Sequence, residues 1–237
     1  MTLRVIDVET TGIDPATSGV VEVASIDIVK DGSFWRPIER RVDPGMPIPP
    51  EASAVHHIID ADVRGCLKLI DVIGDFTKKT DASEVIFIAH SADFERAFLD
   101  ELLGRPKWIC TRKVAHRIWP DAPGYSNQTL RYWRGLVTPF DIDRKSIVPH
   151  GAMSDVIVTG ALFFDIVKNK LASFDDMLRW SNEPILYQKF GFGKHKGVPL
   201  AEVARASPDY LEWVIAKSEL DADAKYSARY WLDNRGK

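Results

Sequence analysis

The sequence predicts an α/β fold, and three observations support this prediction. Residues 2–7, 20–28 and 84–89 are short runs of β-branched and apolar residues, which are typical of buried strands. The third run is followed by residues 93–99, where apolar side chains recur at helical spacing. Residues 152–167 form a long, largely apolar segment that suits a helix packed against a sheet.

The first predicted strand leads into two carboxylates, Asp7 and Glu9. Side chains at i and i+2 of a strand point to the same face, so we expect both carboxylates on one side of the sheet. Without a cation the two charges repel and raise their pKa values, and a metal ion removes that penalty. Residues 20–28 read as the antiparallel neighbour of this strand, which favours a position beside a core over a solvated strand end.

A third carboxylate, Asp93, opens the predicted helix at 93–99, after the loop of His90, Ser91 and Ala92. An acidic residue in the first turn also interacts favourably with the helix dipole, by a few tenths of a kcal/mol. That role is compatible with metal binding, so both interpretations of Asp93 stay open.

A histidine and a fourth carboxylate stand at the start of the long helix predicted from residue 152. Asp155 is expected within its first two turns, facing the strand ends, and His150 lies in the loop that enters it. A neutral histidine near its working pKa can accept a proton from water. The Asp155 partner five residues on favours a functional role for His150 over a surface position.

Together, four carboxylates and one histidine can form a two-metal site that cleaves a phosphodiester. Two divalent ions roughly 3.5–4 Å apart can ionise a water molecule and stabilise the attacking and leaving oxygens. Magnesium and manganese prefer oxygen ligands, so a few carboxylates are sufficient to hold them. The sequence does not choose between these two metals.

The order and context of these residues resemble the DEDDh (DnaQ-like) family of 3′→5′ exonucleases. The shared motifs are Asp-x-Glu-Thr-x-Gly from Asp7, His90-Ser91-Ala92-Asp93-Phe94, and His-x-x-x-x-Asp from His150. The resemblance implies a ribonuclease-H-like fold, with a mixed five-stranded sheet flanked by helices. The tyrosine variant of the superfamily would place Tyr at position 151, where this chain has Gly, so the histidine subclass is favoured.

The resemblance also implies roles for individual residues. Asp7, Glu9, Asp93 and Asp155 correspond to the metal ligands, and His150 corresponds to the general base. The terminal nucleotide would be held by the turn after the first strand and by a Val-His-x-Ile element, that is, by Thr10, Thr11, Gly12 and His56. His57 departs from the glycine that many family members carry after this histidine.

Composition limits the possible classes of protein. The chain has 237 residues, a net charge of −3 and 45% hydrophobic residues, as expected for one domain of about 150–180 residues with a small appendage. Cys66 and Cys110 are far apart and match no disulfide or metal pattern, which favours a reducing, cytoplasmic location. The sequence shows neither a membrane span nor a secretory signal.

A change in amino-acid composition near residues 170–190 predicts a domain boundary. We expect an exonuclease-like domain at 1–172 and a small C-terminal module at 173–237. Residues 185–237 carry 9 lysines and arginines against 7 acidic residues, so this part is relatively basic. Its Phe-Gly-Lys-x-Lys-Gly and Pro-Asp-Tyr-Leu-x-Trp segments resemble the C-terminal module of exodeoxyribonuclease X. Whether its lysines meet phosphates or are merely solvated stays open.

The expected activity is a metal-dependent 3′→5′ exonuclease that releases nucleoside 5′-monophosphates, with two Mg²⁺ or Mn²⁺ ions as cofactors. The expected partner is the 3′ end of DNA, single-stranded or duplex, and the protein is expected as a monomer or homodimer. One alternative is an exoribonuclease of the same fold. A second is a non-catalytic nucleic-acid-binding module, which would be expected to lack at least one of the five site residues.

Overall fold

The computed structural model describes residues 2–29, 34–77, 84–136, 147–217 and 219–236. In chain order the elements are β1 (Thr2–Thr10), β2 (Val20–Ile28), β3 (Phe34–Arg41), α1 (Pro50–His56), α2 (Asp60–Val63), α3 (Leu69–Thr77), β4 (Val85–Ala89), α4 (Ala92–Leu99), β5 (Lys107–Cys110), α5 (Thr111–Ile118), α6 (Asn127–Trp133), α7 (Ala152–Lys168), α8 (Phe174–Ser181), α9 (Leu200–Ala206), α10 (Pro208–Ala216) and α11 (Ala222–Asp233).

The strands form one five-stranded mixed sheet in the order β3-β2-β1-β4-β5. β1 and β3 both pair antiparallel with β2, whereas β4 pairs parallel with β1 and with β5. The predicted mixed five-stranded sheet flanked by helices is therefore confirmed, as is the pairing of residues 20–28 with the first strand. Because β1 is the central strand, Asp7 and Glu9 lie in the middle of the sheet rather than at an edge.

Helices cover both faces of the sheet, and β1 contributes to both cores because its side chains alternate. Val5 packs in the core formed with α5, α6, α7 and α8. Ile6 and Val8 pack in the opposite core, formed with α3 and α4. The same alternation turns Asp7 and Glu9 towards the α7 side, before a β-bulge between Glu9 and Thr10 ends the regular register.

A buried ion pair on the other face fixes the register of β1 against β2. Arg4 faces Asp27 across the two strands, with Nε to Oδ1 at 2.6 Å and Nη2 to Oδ2 at 2.8 Å. Arg4 is only 1% exposed, and it also donates to the backbone carbonyl of Phe76 at the end of α3. A slip of one residue would bury each charge without its partner, which is costly.

The C-terminal helices have a core of their own. Phe190 and Leu200 pack there with side chains of α9, α10 and α11. By contrast α8 packs against β5 and α5, and its Met177 belongs to the core of the sheet. The C-terminal core therefore begins at Tyr187, and α8 packs with the strand β5 and the helix α5. The division after residue 172, which assigns α8 to the C-terminal module, stays a prediction.

Two further features bear on the sequence-based expectations. Cys66 and Cys110 are free cysteines, the second of them buried. Across the ranges that the structure describes, no helix combines the length and the apolar character needed to cross a membrane.

Candidate active site

Three of the expected carboxylates meet at the carboxyl end of β1. Asp7 and Glu9 come from the strand and Asp155 from the first turn of α7, and each offers an oxygen within 4.8 Å of the others. Glu9 is buried, whereas Asp7 and Asp155 are partly exposed. Residues almost 150 positions apart thus form one acidic cluster because α7 packs directly on β1 and β2.

Hydrogen bonds from neighbouring elements hold Asp155 in this position. The backbone N–H of His150 donates to Asp155 Oδ2 at 3.0 Å. Asn127 Nδ2 donates to the backbone carbonyl of Asp155 at 3.1 Å, and Gln128 Nε2 lies 3.4 Å from its Oδ1. Sequence reasoning did not identify these two amides, since no motif marks an Asn-Gln pair at the start of a helix.

The start of α7 is also tied to the sheet by Glu22, another residue that sequence reasoning missed. Glu22 lies opposite Glu9 on β2 and is buried. Its Oε2 accepts the backbone N–H of Ala152 at 3.1 Å, and its Oε1 accepts from Arg41 Nε at 2.8 Å. This carboxylate therefore helps to fix the distance between β1 and the helix that carries Asp155.

The structure does not bring Asp93 to the acidic cluster, and the expectation for this residue is corrected accordingly. Its side chain is 65% exposed and pairs with Lys113 Nζ at 2.8 Å. The carboxylate that α4 does contribute belongs to Glu95, which is 3% exposed and lines the same cavities as Asp7 and Asp155. Successive residues of a helix are 100° apart, so positions 93 and 95 point in nearly opposite directions.

The burial pattern of α4 explains why Glu95 is the acidic residue that faces the site. The buried residues of the helix are Ala92, Glu95 and Leu99, at the i, i+3, i+7 spacing of one helical face. Glu95 is thus an acidic residue on the inner face of the helix, where a charge is unexpected. Its Oε2 is buried without a hydrogen-bond partner among the described residues.

Burial and mutual repulsion raise the pKa values of the clustered carboxyls. Burial first, and then the charges of Glu95, Asp155 and Glu9, hold the pKa of Asp7 well above its ordinary value. Burial, with repulsion from Asp155 and Glu22, raises the pKa of Glu9 from 4.5 to about 8. Burial raises the pKa of Glu95 to about 7. The pKa of Asp155 is also raised by burial, although its hydrogen bond from His150 opposes this.

Two cavities open on either side of the acidic cluster and share Asp7, Glu95, Asp155 and His150 in their walls. The first has a volume of about 630 Å³ and extends along the turn of residues 10–12 to His56. The second has a volume of about 440 Å³. Its walls include Tyr187 from the C-terminal part of the chain and four residues that follow the carboxyl ends of β4 and β5, namely His90, Arg112, His116 and Tyr125. His150 stands where the two meet.

The Thr-Thr-Gly turn is held by its own hydroxyls. Thr10 Oγ1 donates to the carbonyl of Gly12 at 2.6 Å, and Thr11 Oγ1 accepts the backbone N–H of Gly19 at 3.0 Å. A Cβ at position 12 would lie 2.7 Å from Ser18 Oγ, so glycine lets the two loop segments meet closely. The threonine hydroxyls thus shape the wall of the first cavity rather than standing free.

His56 closes the far end of the first cavity from α1. It is buried, and its Nδ1 accepts the backbone N–H of Ile58 at 3.0 Å. Burial lowers its pKa, so the ring is neutral near pH 7. Its Nε2 is buried without a hydrogen bond in the described part of the chain, and it carries the proton of the neutral ring because Nδ1 accepts from Ile58.

Comparison with known proteins agrees with this geometry. A family model described as "Exonuclease" matches residues 5–163, which carry Asp7, Glu9, Glu95, His150 and Asp155. The chain belongs to this exonuclease family. The predicted resemblance to DEDDh exonucleases is thereby confirmed, and a second model, "Exodeoxyribonuclease X-like C-terminal", matches residues 190–219.

Individual members of the exonuclease family show how far the likeness extends. Exodeoxyribonuclease 10 of Escherichia coli K12 is 34% identical over 235 residues, which is 98% of this chain and 99% of that protein. A structure of exonuclease X in complex with 5′ overhanging duplex DNA is 35% identical, with a TM-score of 0.63, and covers 76% of this chain and 99% of that one. The zinc-bound complex of E. coli ExoI with single-stranded DNA is 15% identical, covers 74% of this chain and 42% of that one, and shares the fold with a TM-score of 0.59.

The acidic cluster has the chemistry of a divalent-cation site. Its ligands are carboxylate oxygens, which suit hard divalent ions, and a bound cation would offset the burial and mutual repulsion that raise their pKa values. The unpartnered oxygen of Glu95 adds a further acceptor beside it. The residues present therefore fit the divalent metals on which exonucleases of this family generally depend.

Proposed function

We propose that this protein is a metal-dependent 3′→5′ exonuclease that hydrolyses DNA from its 3′ end and releases nucleoside 5′-monophosphates. The observation that carries the proposal is the meeting of Asp7, Glu9 and Asp155 within 4.8 Å, between two cavities and beside a histidine. Two Mg²⁺ or Mn²⁺ ions would be held by these three carboxylates and by Glu95, which takes the place first expected for Asp93.

When bound, the two ions supply the charge that makes water nucleophilic and stabilises the oxygens that enter and leave phosphorus. The side chain of His150 would accept the proton of the attacking water. The bond between phosphorus and O3′ of the preceding nucleotide would then break, and O3′ would take up a proton from solvent. The products are a 3′-hydroxyl on the shortened strand and a free 5′-monophosphate.

The position of His150 suits this role. Its side chain is exposed where the two cavities meet, while its backbone N–H is bonded to Asp155. Its φ of 61° lies in the left-handed region, which costs a residue other than glycine roughly 1–2 kcal/mol. The hydrogen bond to Asp155 offsets part of that cost and keeps the base beside the metal ligands without making it one.

The first cavity would receive the 3′-terminal nucleotide. Thr10, Thr11 and Gly12 would form its wall, and the Nε2–H of the neutral His56 would donate a hydrogen bond to the sugar or base. DNA is the proposed substrate because a relative that matches almost the whole chain is named an exodeoxyribonuclease, and a structure of the related exonuclease X holds duplex DNA with a 5′ overhang. The cytoplasmic location and the monomeric or homodimeric state stay predictions.

A matched pair of variants tests the metal ligands. Glu95→Gln and Asp93→Asn each remove one negative charge from the same turn of α4 without a large change in volume. We expect Glu95→Gln to lower kcat on a 5′-labelled single-stranded DNA by two or more orders of magnitude in Mg²⁺. Asp93→Asn should change kcat by less than about fivefold, since this exposed side chain pairs with Lys113 outside the cluster.

The wild-type protein is assayed in parallel on the matching RNA and in EDTA. A ladder that shortens from the 3′ end, needs Mg²⁺ and is faster on DNA supports the proposal, whereas faster cleavage of RNA would move it to the exoribonuclease. A loss of activity in Asp93→Asn and not in Glu95→Gln would contradict the site assignment. A folded wild-type protein that cleaves neither polymer would refute the nuclease and favour a binding module.

A further inference from the structure

The C-terminal module contributes a side chain to the candidate active site. Tyr187 packs against the core of the module and also lines the second cavity, beside the acidic cluster. Its backbone is fixed by α11, because its N–H donates to Ser227 Oγ at 2.8 Å and its carbonyl accepts from Trp231 Nε1 at 2.8 Å. The module is therefore part of the wall of the site.

A row of aromatic rings leads from this cavity to the surface of the module. His116 stands edge-on to Tyr187 at a centroid distance of 5.5 Å, and Tyr187 contacts Phe190 at 6.4 Å. Phe190 is buried and stacks on Phe192 at 5.0 Å, with 19° between their planes. Phe192 is 38% exposed, so the last ring of the row can receive another planar group from solvent.

Two exposed lysines follow Phe192 in a fixed loop. Gly193, with φ 73°, lies so close to Tyr210 that a Cβ would be 2.6 Å from the tyrosine oxygen, and the His195 ring packs on Tyr210 at 4.7 Å. These contacts anchor the loop on α10 and leave Lys194 and Lys196 exposed. Within the described residues neither lysine forms an ion pair, so both charges are free to meet an anion.

We propose that this loop binds the substrate strand on the 5′ side of the scissile phosphodiester, an inference that rests on the proposed function. Phe192 would stack on a base, and Lys194 and Lys196 would contact phosphates. The first cavity ends at His56 and suits a terminal nucleotide, so the rest of the strand must leave through the other cavity, past Tyr187. Unpaired lysines beside an exposed ring are the features that bind single strands without sequence preference.

The distances predict how much strand is needed to reach the loop. The ring-to-ring steps of 6.4 and 5.0 Å from Tyr187 to Phe192 correspond to at most about three stacked nucleotides, at roughly 3.4 Å each. One nucleotide in each cavity comes before them. A trinucleotide should therefore miss the loop, whereas a strand of eight or more nucleotides should contact it.

The test compares kcat/KM on a trinucleotide and on a single-stranded 12-mer in Mg²⁺. The variants are Phe192→Ala and Lys194→Gln/Lys196→Gln. The matched control is Lys168→Gln/Lys170→Gln, which removes the same charge from the exposed end of α7 that is remote from Asp155. Phe192→Tyr, which keeps a ring that can stack, and a thermal melt of every variant separate lost contacts from lost folding.

We expect Phe192→Ala to raise KM on the 12-mer at least about fivefold, from the energy of one stacked base, while its activity on the trinucleotide is unchanged. Phe192→Tyr should restore the 12-mer value. For the lysine variant we expect a shallower slope of log(kcat/KM) against log[salt] on the 12-mer. The slope should differ from that of the control by about 1.4, because two phosphate contacts are lost.

Equal losses on both substrates would overturn the proposal, because they would mean that the loop acts on the shared active site. Unchanged kcat/KM values on both substrates would also overturn the proposal and would favour a protein as the partner of this loop. Failure of the underlying nuclease assignment looks different, since the wild-type protein would then cleave neither the trinucleotide nor the 12-mer.

Discussion

Replacing Glu9 by Gln should make the metal-free protein more stable at alkaline pH while abolishing its activity. The reason is the raised pKa of Glu9, which moves from 4.5 to about 8 through burial and repulsion from Asp155 and Glu22. The folded chain therefore binds this proton more tightly than the unfolded chain does. The protonated Glu9 therefore contributes stability to the folded chain that is fully present below about pH 4.5. This contribution is lost as the pH rises through about 8.

The magnitude follows from the two pKa values. At about 1.36 kcal/mol for each tenfold change in proton affinity, ionising Glu9 in the folded chain at pH 8 costs roughly 4 kcal/mol. Water in the neighbouring cavity reduces this to roughly 2–4 kcal/mol. At pH 5.5 the same difference in pKa between the folded and unfolded chains destabilises the folded chain by about 1 kcal/mol. Glu9→Gln removes the cost at both values.

The assay is urea denaturation of wild type and Glu9→Gln in EDTA, at pH 8 and pH 5.5. The comparison is made between variants at one pH because His90 and His116 act in the opposite direction. Burial lowers the pKa of His90 to about 4 and that of His116 to about 3, so both destabilise the folded chain as the pH falls below 6.5. These histidines are common to both proteins and cancel in the difference.

We expect Glu9→Gln to be more stable than wild type by roughly 2–4 kcal/mol at pH 8 and by about 1 kcal/mol at pH 5.5. Adding Mg²⁺ at pH 8 should stabilise wild type and narrow the gap. Glu51→Gln is the control, because Glu51 is exposed at the outer edge of the same cavity. A stability difference that is absent at pH 8, or the same at both pH values, would refute the electrostatic explanation.

Three further predictions concern the proposed base, the metal site and the buried Arg4–Asp27 ion pair. His150→Ala should lower kcat by about 10²–10⁴ while Mn²⁺ affinity, measured by calorimetry, changes little, since its side chain is outside the cluster. Mn²⁺ affinity should rise between pH 6 and pH 8 with release of protons, because Glu9 must be ionised to bind a cation; pH-independent affinity would contradict this. Arg4→Met should cost about 3–5 kcal/mol of unfolding free energy by leaving Asp27 buried and unpaired, and the double variant Arg4→Met/Asp27→Leu should recover most of it.

The fourth carboxylate shows where sequence reasoning needs the helix around it. Asp93 and Glu95 are both acidic and both lie in the first turn of α4, so residue type alone does not separate them. What separates them is the face of the helix. Position 95 is on the side that packs inward with Ala92 and Leu99, whereas position 93 faces solvent and Lys113.

The hydrogen bonds that position Asp155 and the start of α7 show a second limit of sequence reasoning. Asn127, Gln128 and Glu22 come from α6 and β2, and no local pattern relates them to a residue almost thirty or more than a hundred positions away. Polar side chains of this kind are common on protein surfaces, so their types carry no signal until the packing of α7 places them beside Asp155.

The sequence by itself determined the class of fold, the central strand with its two carboxylates, and the pairing of His150 with Asp155. It could do so because alternation along a strand and periodicity along a helix are local properties of the chain. The tertiary structure decided which carboxylate of α4 enters the site and where the C-terminal core begins. It also placed Tyr187 of that core in the wall of the active-site cavity. These outcomes depend on how separate elements pack against one another, which short-range patterns do not encode.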